Sequence, residues 1–311
     1  MVFMGTPAFA VPALREVARA CDVTLVVTQP DRPSGRGRAP AASAVAGVAG
    51  ELGIPALKPE RVRDPAVRER LAAERADAFA VVAFGAILPR ELLALPRAGS
   101  LNLHGSLLPD YRGAAPVQRA LWDGRTETGV TTLFMDEGID TGDVVLRQRE
   151  PIRDEDDAGT LAARLAGLGA PLLARSCTLA HEGRAPREPQ DPAAGSYARK
   201  LGKADGAIDW TLPARAVWCH ARAVTPWPGA AATFAGTRLI VLASRPLEAH
   251  GEPGAVLAVD GAGLVVACGE GALRLERVKP EGRTAMSAAD WARGARVAPG
   301  ARLGSGEELR A

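Results

Sequence analysis

Asn102 and His104 are the residues of this sequence with the clearest chemical potential. They lie two positions apart in an apolar stretch that predicts a β-strand, so both side chains point to the same face of a sheet. Downstream, residues 136–143 form a turn-rich segment with four carboxylates and two glycines, from which Asp140 could reach His104. An amide, an imidazole and a carboxylate would then converge on one point.

This combination suits transfer of an acyl group that already sits on a carrier, because the incoming amine attacks directly and no enzyme nucleophile is needed. Charge would build up on the acyl oxygen of the tetrahedral intermediate, where the Asn102 N–H and a protonated His104 could stabilise it. Asp140 would favour the charged imidazole and help relay a proton from the attacking amine to the leaving nitrogen. A structural interpretation stays open, since histidines near strand ends are often hydrogen-bonded structural residues and acidic loops often only cap turns.

The first 150 residues predict the elements that position these side chains. Apolar, β-branched runs alternate with helical patterns, as in parallel strands joined by crossover helices. The predicted strands are residues 2–4, 23–28, 78–84, 101–103 and 130–135, with helices at 8–20 and 64–75. The expected fold is therefore α/β, with a Rossmann-like, doubly wound, mostly parallel sheet. Such sheets bind ligands beyond the carboxyl ends of their strands, so residues 5–7, 84–85 and 102–104 are expected on one rim.

The pattern changes in the second half of the chain. A long helix is predicted over residues 158–181, followed by a proline-rich stretch that resembles an interdomain linker. Short alternating strands then follow closely at residues 230–234, 237–243, 255–259, 263–268 and 272–279, with helices at 213–224 and 287–295. We therefore expect a first domain over 1–187, a linker over 188–203 and a smaller C-terminal, OB-like β-barrel over 204–311.

Composition and missing motifs exclude several classes of protein. Hydrophobic residues make up 47% of the chain and charged residues 24%, with no apolar run long enough to span a membrane and no secretory signal at the N-terminus. A cytoplasmic protein is expected. The sequence contains no Walker loop, no G-x-G-x-x-G helix start and no H-E-x-x-H segment, which argues against nucleotide hydrolysis, a dinucleotide cofactor and metal-dependent hydrolysis.

The four cysteines argue against a disulfide framework and against a zinc site. Cys21, Cys177, Cys219 and Cys268 are scattered and form no C-x-x-C pair. We expect all four to be buried thiols.

The segment around Asn102 and His104 resembles the hallmark of folate-dependent formyltransferases. It reads N-L-H-G-S-L-L-P from residue 102 and continues as Y-R-G-A-A-P from residue 111, and the loop with Asp140 is similar to its partner element. The resemblance implies that Asn102, His104 and Asp140 are catalytic. It implies 10-formyltetrahydrofolate as the formyl-donor co-substrate and no metal.

The same resemblance implies where the folate binds. The stretch Ser106, Leu107, Leu108 and Pro109 is similar to the tetrahydrofolate-binding segment of the family. Residues 82–88 resemble the strand and loop that receive the pterin, which assigns Phe84 and Gly85 to the same site.

Three further features resemble the methionyl-tRNA formyltransferases in particular. T-Q-P-D-R-P followed by G-R-G, over residues 28–37, is similar to their inserted loop and implies that Arg36 contacts tRNA. I-D-W, P-W-P-G and A-M-S, which start at residues 208, 226 and 285, resemble their C-terminal region. The implied function is formylation of the α-amino group of methionyl initiator tRNA for translation initiation. We also expect a monomer with no membrane partner. Residues 41–46 depart from the family pattern, because they lack its usual lysine.

Other functions remain open on the sequence alone. Sugar-nucleotide formyltransferases share the two-domain layout but need a nucleotide-sugar pocket, whereas glycinamide ribonucleotide formyltransferases lack such a C-terminal domain. A hydrolase that admits water in place of the amine would use the same three residues, and a non-catalytic tRNA-binding protein is another alternative. Residues 197–311 carry fifteen Lys or Arg against eleven Asp or Glu, which is consistent with a nucleic-acid partner without identifying one.

Overall fold

The computed structural model describes residues 1–34 and 39–305, which form two compact units. The first unit contains Met1–Pro116, Glu127–Pro151 and Ala162–Ala198. The second contains Val117–Thr126, Ile152–Leu161 and the chain from Arg199 onwards. Among the described residues, no helix is long and apolar enough to cross a membrane.

The elements alternate in the first half and are mostly strands in the second. The strands are β1 (Val2–Gly5), β2 (Leu25–Val27), β3 (Arg32–Ser34), β4 (Ala39–Ala41), β5 (Ala56–Leu57), β6 (Phe79–Val82), β7 (Ser100–His104), β8 (Arg112–Gly113), β9 (Glu127–Phe134), β10 (Val144–Pro151), β11 (Tyr197–Ala198), β12 (Ala230–Phe234), β13 (Thr237–Leu247), β14 (Val256–Asp260), β15 (Gly263–Ala267), β16 (Ala272–Pro280), β17 (Met286–Ser287) and β18 (Gly304–Ser305). The α-helices are α1 (Val11–Ala20), α2 (Ala44–Glu51), α3 (Pro65–Ala73), α4 (Arg90–Leu93), α5 (Pro116–Trp122), α6 (Ala158–His181), α7 (Ala214–Ala223) and α8 (Ala288–Gly294). Short 3-10 helices cover Ala8–Ala10 and Lys203–Gly206.

The first unit is built on a seven-stranded sheet in the order β10-β9-β7-β6-β1-β2-β5. Strands β5, β2, β1, β6 and β7 are parallel neighbours, which confirms the predicted Rossmann-like, doubly wound sheet. All residues of β1 and β6 are buried, as expected for strands covered on both faces. The strand order reverses between β1 and β6, which is where sheets of this kind form their ligand-binding crevice, beyond the carboxyl ends of the strands.

Side-chain hydrogen bonds tie the loops together at this rim. Thr6 Oγ1 donates to the Phe84 carbonyl at 2.9 Å and accepts from Gln29 N at 3.3 Å. The loops after β1, β2 and β6 are therefore held to one another, as the sequence predicted for residues 5–7 and 84–85.

The loop that carries Asp140 approaches from the other end of the sheet. Strand β9 runs antiparallel to β7, with Leu101 opposite Phe134, and Met135 N donates to the Ser100 carbonyl at 2.8 Å. The loop therefore leaves the sheet near the amino end of β7 and returns over the face on which Asn102 projects.

The second unit contains the predicted small barrel. Its antiparallel strands follow the order β14-β15-β16-β13-β12-β18, with β17 paired to β16. The sheet curves back on itself, since Val256 N donates to the Ala301 carbonyl at 2.8 Å and Ala255 pairs with Arg302. The flanking helices α7 and α8 lie within the ranges predicted for them.

Residues 188–198, which the sequence assigns to a linker, bond to the first unit. Glu188 and Val144 exchange two backbone hydrogen bonds at 2.8 and 3.0 Å, and β11 pairs with β8. The domain bounds 1–187, 188–203 and 204–311 themselves stay a prediction.

Three of the four cysteines are buried as expected. They are Cys177, Cys219 and Cys268, whereas Cys21 is only half-buried, so the prediction is wrong for that residue. Cys21 follows directly after the C-terminal end of α1, where the chain reaches the surface.

The buried hydroxyl of Thr131 holds the segment that follows β7. Its Oγ1 donates to the Ser106 carbonyl at 2.7 Å and accepts from Leu108 N at 3.1 Å. The isosteric change Thr131→Val leaves both backbone groups without this partner, so we expect a loss of about 2 kcal/mol in the free energy of unfolding. Urea unfolding followed by circular dichroism measures it.

The control is Thr237→Val, which makes the same change at an exposed position of β13 and should alter the free energy of unfolding by no more than about 0.5 kcal/mol. Equal effects of the two substitutions would contradict the bridging role of Thr131.

Candidate active site

Strand β7 presents Asn102 and His104 on one face because its sequence alternates. Leu101 and Leu103 are buried on the opposite face, where the backbone of Gly169 in α6 approaches so closely that an added Cβ would lie 2.7 Å from the Leu103 side chain. Asn102 is half-buried, and His104 is 5% exposed. The pairing partners are Val81 for Asn102 and Thr131 for His104, which confirms the predicted strand.

The carboxylate of Asp140 joins both side chains. Its Oδ1 accepts from Asn102 Nδ2 at 3.2 Å, and its Oδ2 lies 3.4 Å from His104 Nδ1. Oδ2 also accepts from the backbone N–H of Gly113 at 2.8 Å. The structure therefore brings together the three residues that the sequence singled out, within one partly buried cluster.

Both ring nitrogens of His104 face acceptors. Nε2 lies 2.9 Å from the Tyr111 carbonyl, and Nδ1 faces the Asp140 carboxylate. A neutral imidazole donates from one nitrogen only, whereas an imidazolium donates from both. The surroundings therefore suit a ring that carries a positive charge during a reaction.

The loop of residues 136–143 holds Asp140 by local bonds. Asp136 Oδ1 accepts from Gly138 N at 3.0 Å and from Thr141 Oγ1 at 2.7 Å. Gly142 packs so tightly that an added Cβ would lie 1.9 Å from the Phe134 carbonyl oxygen. Asp140 itself has a φ of 55°, a left-handed conformation that non-glycine residues adopt only when their surroundings enforce it.

Residues 111–113, which follow the predicted folate segment, lie against His104 and Asp140. Tyr111 has a φ of 61°, and its N–H donates to Ser196 Oγ at 3.0 Å. Gly113 has a φ of 110°, and a Cβ there would lie 2.7 Å from the Ala198 carbonyl oxygen. Only glycine fits this backbone, which places the Gly113 N–H against Asp140. Gly113 is not among the predicted site residues, although it lies inside the motif that starts at residue 111.

The predicted folate segment directs two of its four side chains inward. Ser106 is fully buried, and its Oγ donates to the Asp110 carbonyl at 2.6 Å. Leu108 is buried against Leu133 and Val144. Leu107 and Pro109 are half-buried. A ligand could therefore contact this segment through its backbone and through those two side chains.

The other two predicted folate residues lie after β6, at the point where the strand order reverses. Phe84 is 3% exposed and packs into the core with Met4 and Leu88, so its side chain anchors the loop. Gly85 is exposed, with a φ of 85°. The loop therefore offers backbone groups to the crevice.

Two further predictions concern tRNA and metal. Arg36 lies outside the described residues. In the part of the chain that the structure describes, no group of three or more His, Cys, Asp or Glu side chains could hold a metal ion.

Family models and relatives match most of the chain. Residues 3–176 match the model described as "Formyl transferase", and residues 200–296 match "Formyl transferase, C-terminal domain". Methionyl-tRNA formyltransferases of Geobacter metallireducens and Thermus thermophilus are 45% and 47% identical to this chain over 98% of it, and over 98% and 99% of their own lengths.

Solved structures share the fold. An N-formyltransferase from Helicobacter canadensis, solved with folinic acid and dTDP-3-aminofucose, aligns with a TM-score of 0.67 over 88% of this chain and 97% of its own, at 17% identity. HypX from Aquifex aeolicus, solved with tetrahydrofolic acid, aligns with a TM-score of 0.61 over 94% of this chain and 46% of its own, also at 17% identity. The chain belongs to the formyl transferase family, and within that family to the methionyl-tRNA formyltransferases.

Proposed function

We propose that this protein transfers the formyl group of 10-formyltetrahydrofolate to the α-amino group of methionyl initiator tRNA, for translation initiation. The observation that carries the proposal is the Asn102, His104 and Asp140 cluster, joined by contacts of 3.2 and 3.4 Å. The near-full-length likeness to methionyl-tRNA formyltransferases supports this acceptor.

Asn102 and His104 stabilise the charge that develops on the formyl oxygen. Asn102 Nδ2 carries two N–H groups, of which Asp140 accepts one, so the other can donate to the oxyanion. A protonated His104 adds positive charge in a largely buried setting, where electrostatic stabilisation is stronger than in water. Both groups are in place before the reaction and need no reorganisation.

Asp140 balances that charge and assists proton transfer. Its carboxylate lies against His104 Nδ1, where it stabilises the imidazolium. The attacking amine must lose a proton and the leaving nitrogen of the folate must gain one, so a carboxylate and imidazole pair can relay it directly or through water. The new C–N bond to methionine forms first and gives the tetrahedral intermediate. The C–N bond to the folate breaks when this intermediate collapses and the folate nitrogen takes up the proton.

The folate binds through backbone groups of two segments. Residues 82–88 receive the pterin, with Phe84 as the buried anchor and Gly85 as exposed backbone. Ser106 and Leu108 fix the shape of the second segment from inside, whereas Leu107 and Pro109 present partly exposed apolar surface. Backbone donors and acceptors suit the hydrogen-bonding edge of a pterin.

Arg36 and the second unit bind the tRNA in this proposal. A guanidinium forms bidentate contacts with phosphate and stacks on unpaired bases. The excess of basic over acidic residues in residues 197–311 supports the same assignment. We also propose, from the sequence alone, that the protein acts in the cytoplasm as a monomer.

Formyl transfer to charged initiator tRNA tests the function. We expect transfer from 10-formyltetrahydrofolate, with much slower use of elongator methionyl-tRNA or a UDP-amino sugar. Asn102→Ala and His104→Ala should each lower turnover by about a hundredfold or more with little change in folate affinity, because the first removes an N–H donor and the second a positive charge that stabilise the transition state.

His250→Ala is the matched control, since His250 is exposed, and its turnover should equal that of the parent. Formate release at the transfer rate without any acceptor would favour a hydrolase. Loss of folate affinity alone in the Asn102 and His104 variants would contradict their assigned roles.

Arg36→Ala tests the proposed tRNA contact. Productive use of tRNA should weaken, while folate binding and acceptor-independent formate release stay unchanged. If Arg36 contacts a phosphate, the logarithmic salt dependence should become shallower by about one unit. Kinetics titrated with initiator tRNA at several salt concentrations measure both effects.

Arg68→Ala makes the same change on the exposed side of α3 and serves as the control. If the Arg36 and Arg68 variants both match the parent in rate and salt slope, tRNA recognition rests on other residues.

A further inference from the structure

Gln190 lies in the segment that the sequence assigns to a linker, yet it contacts the loop that carries Asp140. Its Nε2 donates to the Asp140 carbonyl at 2.9 Å and to the Gly142 carbonyl at 2.8 Å. Its Oε1 accepts from Arg112 Nε at 3.2 Å and from Arg112 Nη2 at 2.9 Å. The amide therefore bridges the Asp140 loop to strand β8, which contains Arg112 and Gly113.

These contacts use the whole hydrogen-bonding capacity of the side-chain amide. Glutamine has two N–H donors on nitrogen and two lone pairs on oxygen, and each has one partner here. The partners also fix the orientation of the amide, because a guanidinium can only donate and carbonyl oxygens can only accept. No other side chain of similar shape offers this pattern.

Arg112 is itself held in place by the same segment. Its Nη1 donates to the Ala194 carbonyl at 3.2 Å, and its Nη2 donates to the Asp191 carbonyl at 3.2 Å. The next residue, Gly113, donates its N–H to Asp140 Oδ2. Arg112 and Gln190 therefore fix the distance between the Gly113 donor and the loop that presents its acceptor.

The backbone of Asp140 adopts a left-handed conformation that is uncommon for residues other than glycine. A left-handed φ at a non-glycine residue persists only when neighbouring groups over-determine the conformation. Gly113 and Asn102 hold the carboxylate, and Gln190 holds the carbonyl of the same residue. The side chain and the backbone of Asp140 are thus bound from two directions.

We infer that Gln190 is a positioning residue for formyl transfer, which sets the place of the Asp140 carboxylate against Asn102 and His104. This inference rests on the proposed function. In this proposal Gln190 makes no direct contact with folate or with tRNA, so the effect of Gln190 belongs to the catalytic step.

The isosteric change Gln190→Glu tests the inference. A carboxylate keeps the bond to Arg112 as an ion pair but places an acceptor against the Asp140 and Gly142 carbonyls, which pushes the loop away. We expect kcat to fall by about tenfold or more, since displacements near 1 Å at a reacting centre have effects of up to about a hundredfold. The KM values for folate and tRNA should stay within about twofold of the parent, because Gln190 acts on the reacting geometry.

Gln148→Glu is the matched control, because it makes the same chemical change at an exposed position of β10. Its kcat should equal that of the parent. Melting temperatures of both variants should stay close to the parental value; if Gln190→Glu does not fold, Gln190→Ala removes the donors without adding charge and carries the same expected fall in kcat.

A double-mutant cycle separates positioning from a general structural effect. If Gln190 acts through Asp140, adding Gln190→Glu to Asp140→Asn should lower kcat no further than Asp140→Asn alone. Multiplicative losses in the cycle, or a parental kcat in both Gln190 variants, would overturn the inference. If the unmodified protein does not transfer formyl groups in this assay, the result contradicts the proposed function itself.

Discussion

The carboxylate of Asp140 is the group on which the arrangement of the site depends. It binds the backbone of Gly113 and the side chain of Asn102, and it faces His104, so three chain segments meet at two oxygen atoms. Its side chain is only 15% exposed, and a charge in that position is unfavourable unless its oxygens are hydrogen-bonded. The donors that offset this burial also fix the geometry on which electrostatic catalysis relies.

Much of the fold could be predicted because it follows from local pattern. Alternation in S-L-N-L-H predicts which side chains of β7 share a face, and Asp64 before Pro65 predicts the start of α3, where Asp64 accepts from Ala66 N at 2.9 Å. The helix over residues 158–181 and the barrel strands follow from periodicity of the same kind. In each case, neighbours in sequence determine the structure.

The parts that could not be predicted depend on contacts between distant residues. Periodicity predicts the faces of β9 but not its direction, so it does not predict the side from which Asp140 approaches. Strand β10 pairs with β9 through a bulge after Val144 and was not predicted at all. Gln190 reaches Asp140 across 50 positions of the chain, and its proline-rich surroundings in sequence indicate a linker.

We propose that the negative charge of Asp140 acts in the transfer step, in addition to its role as a hydrogen-bond acceptor. Asp140→Asn keeps the shape and one acceptor oxygen but removes the charge beside His104. The most direct measurement is single-turnover formyl transfer at saturating folate and tRNA. We expect a rate lower by about a hundredfold or more with unchanged folate affinity, whereas a rate within about threefold of the parent would contradict a role of the Asp140 charge in the transfer step.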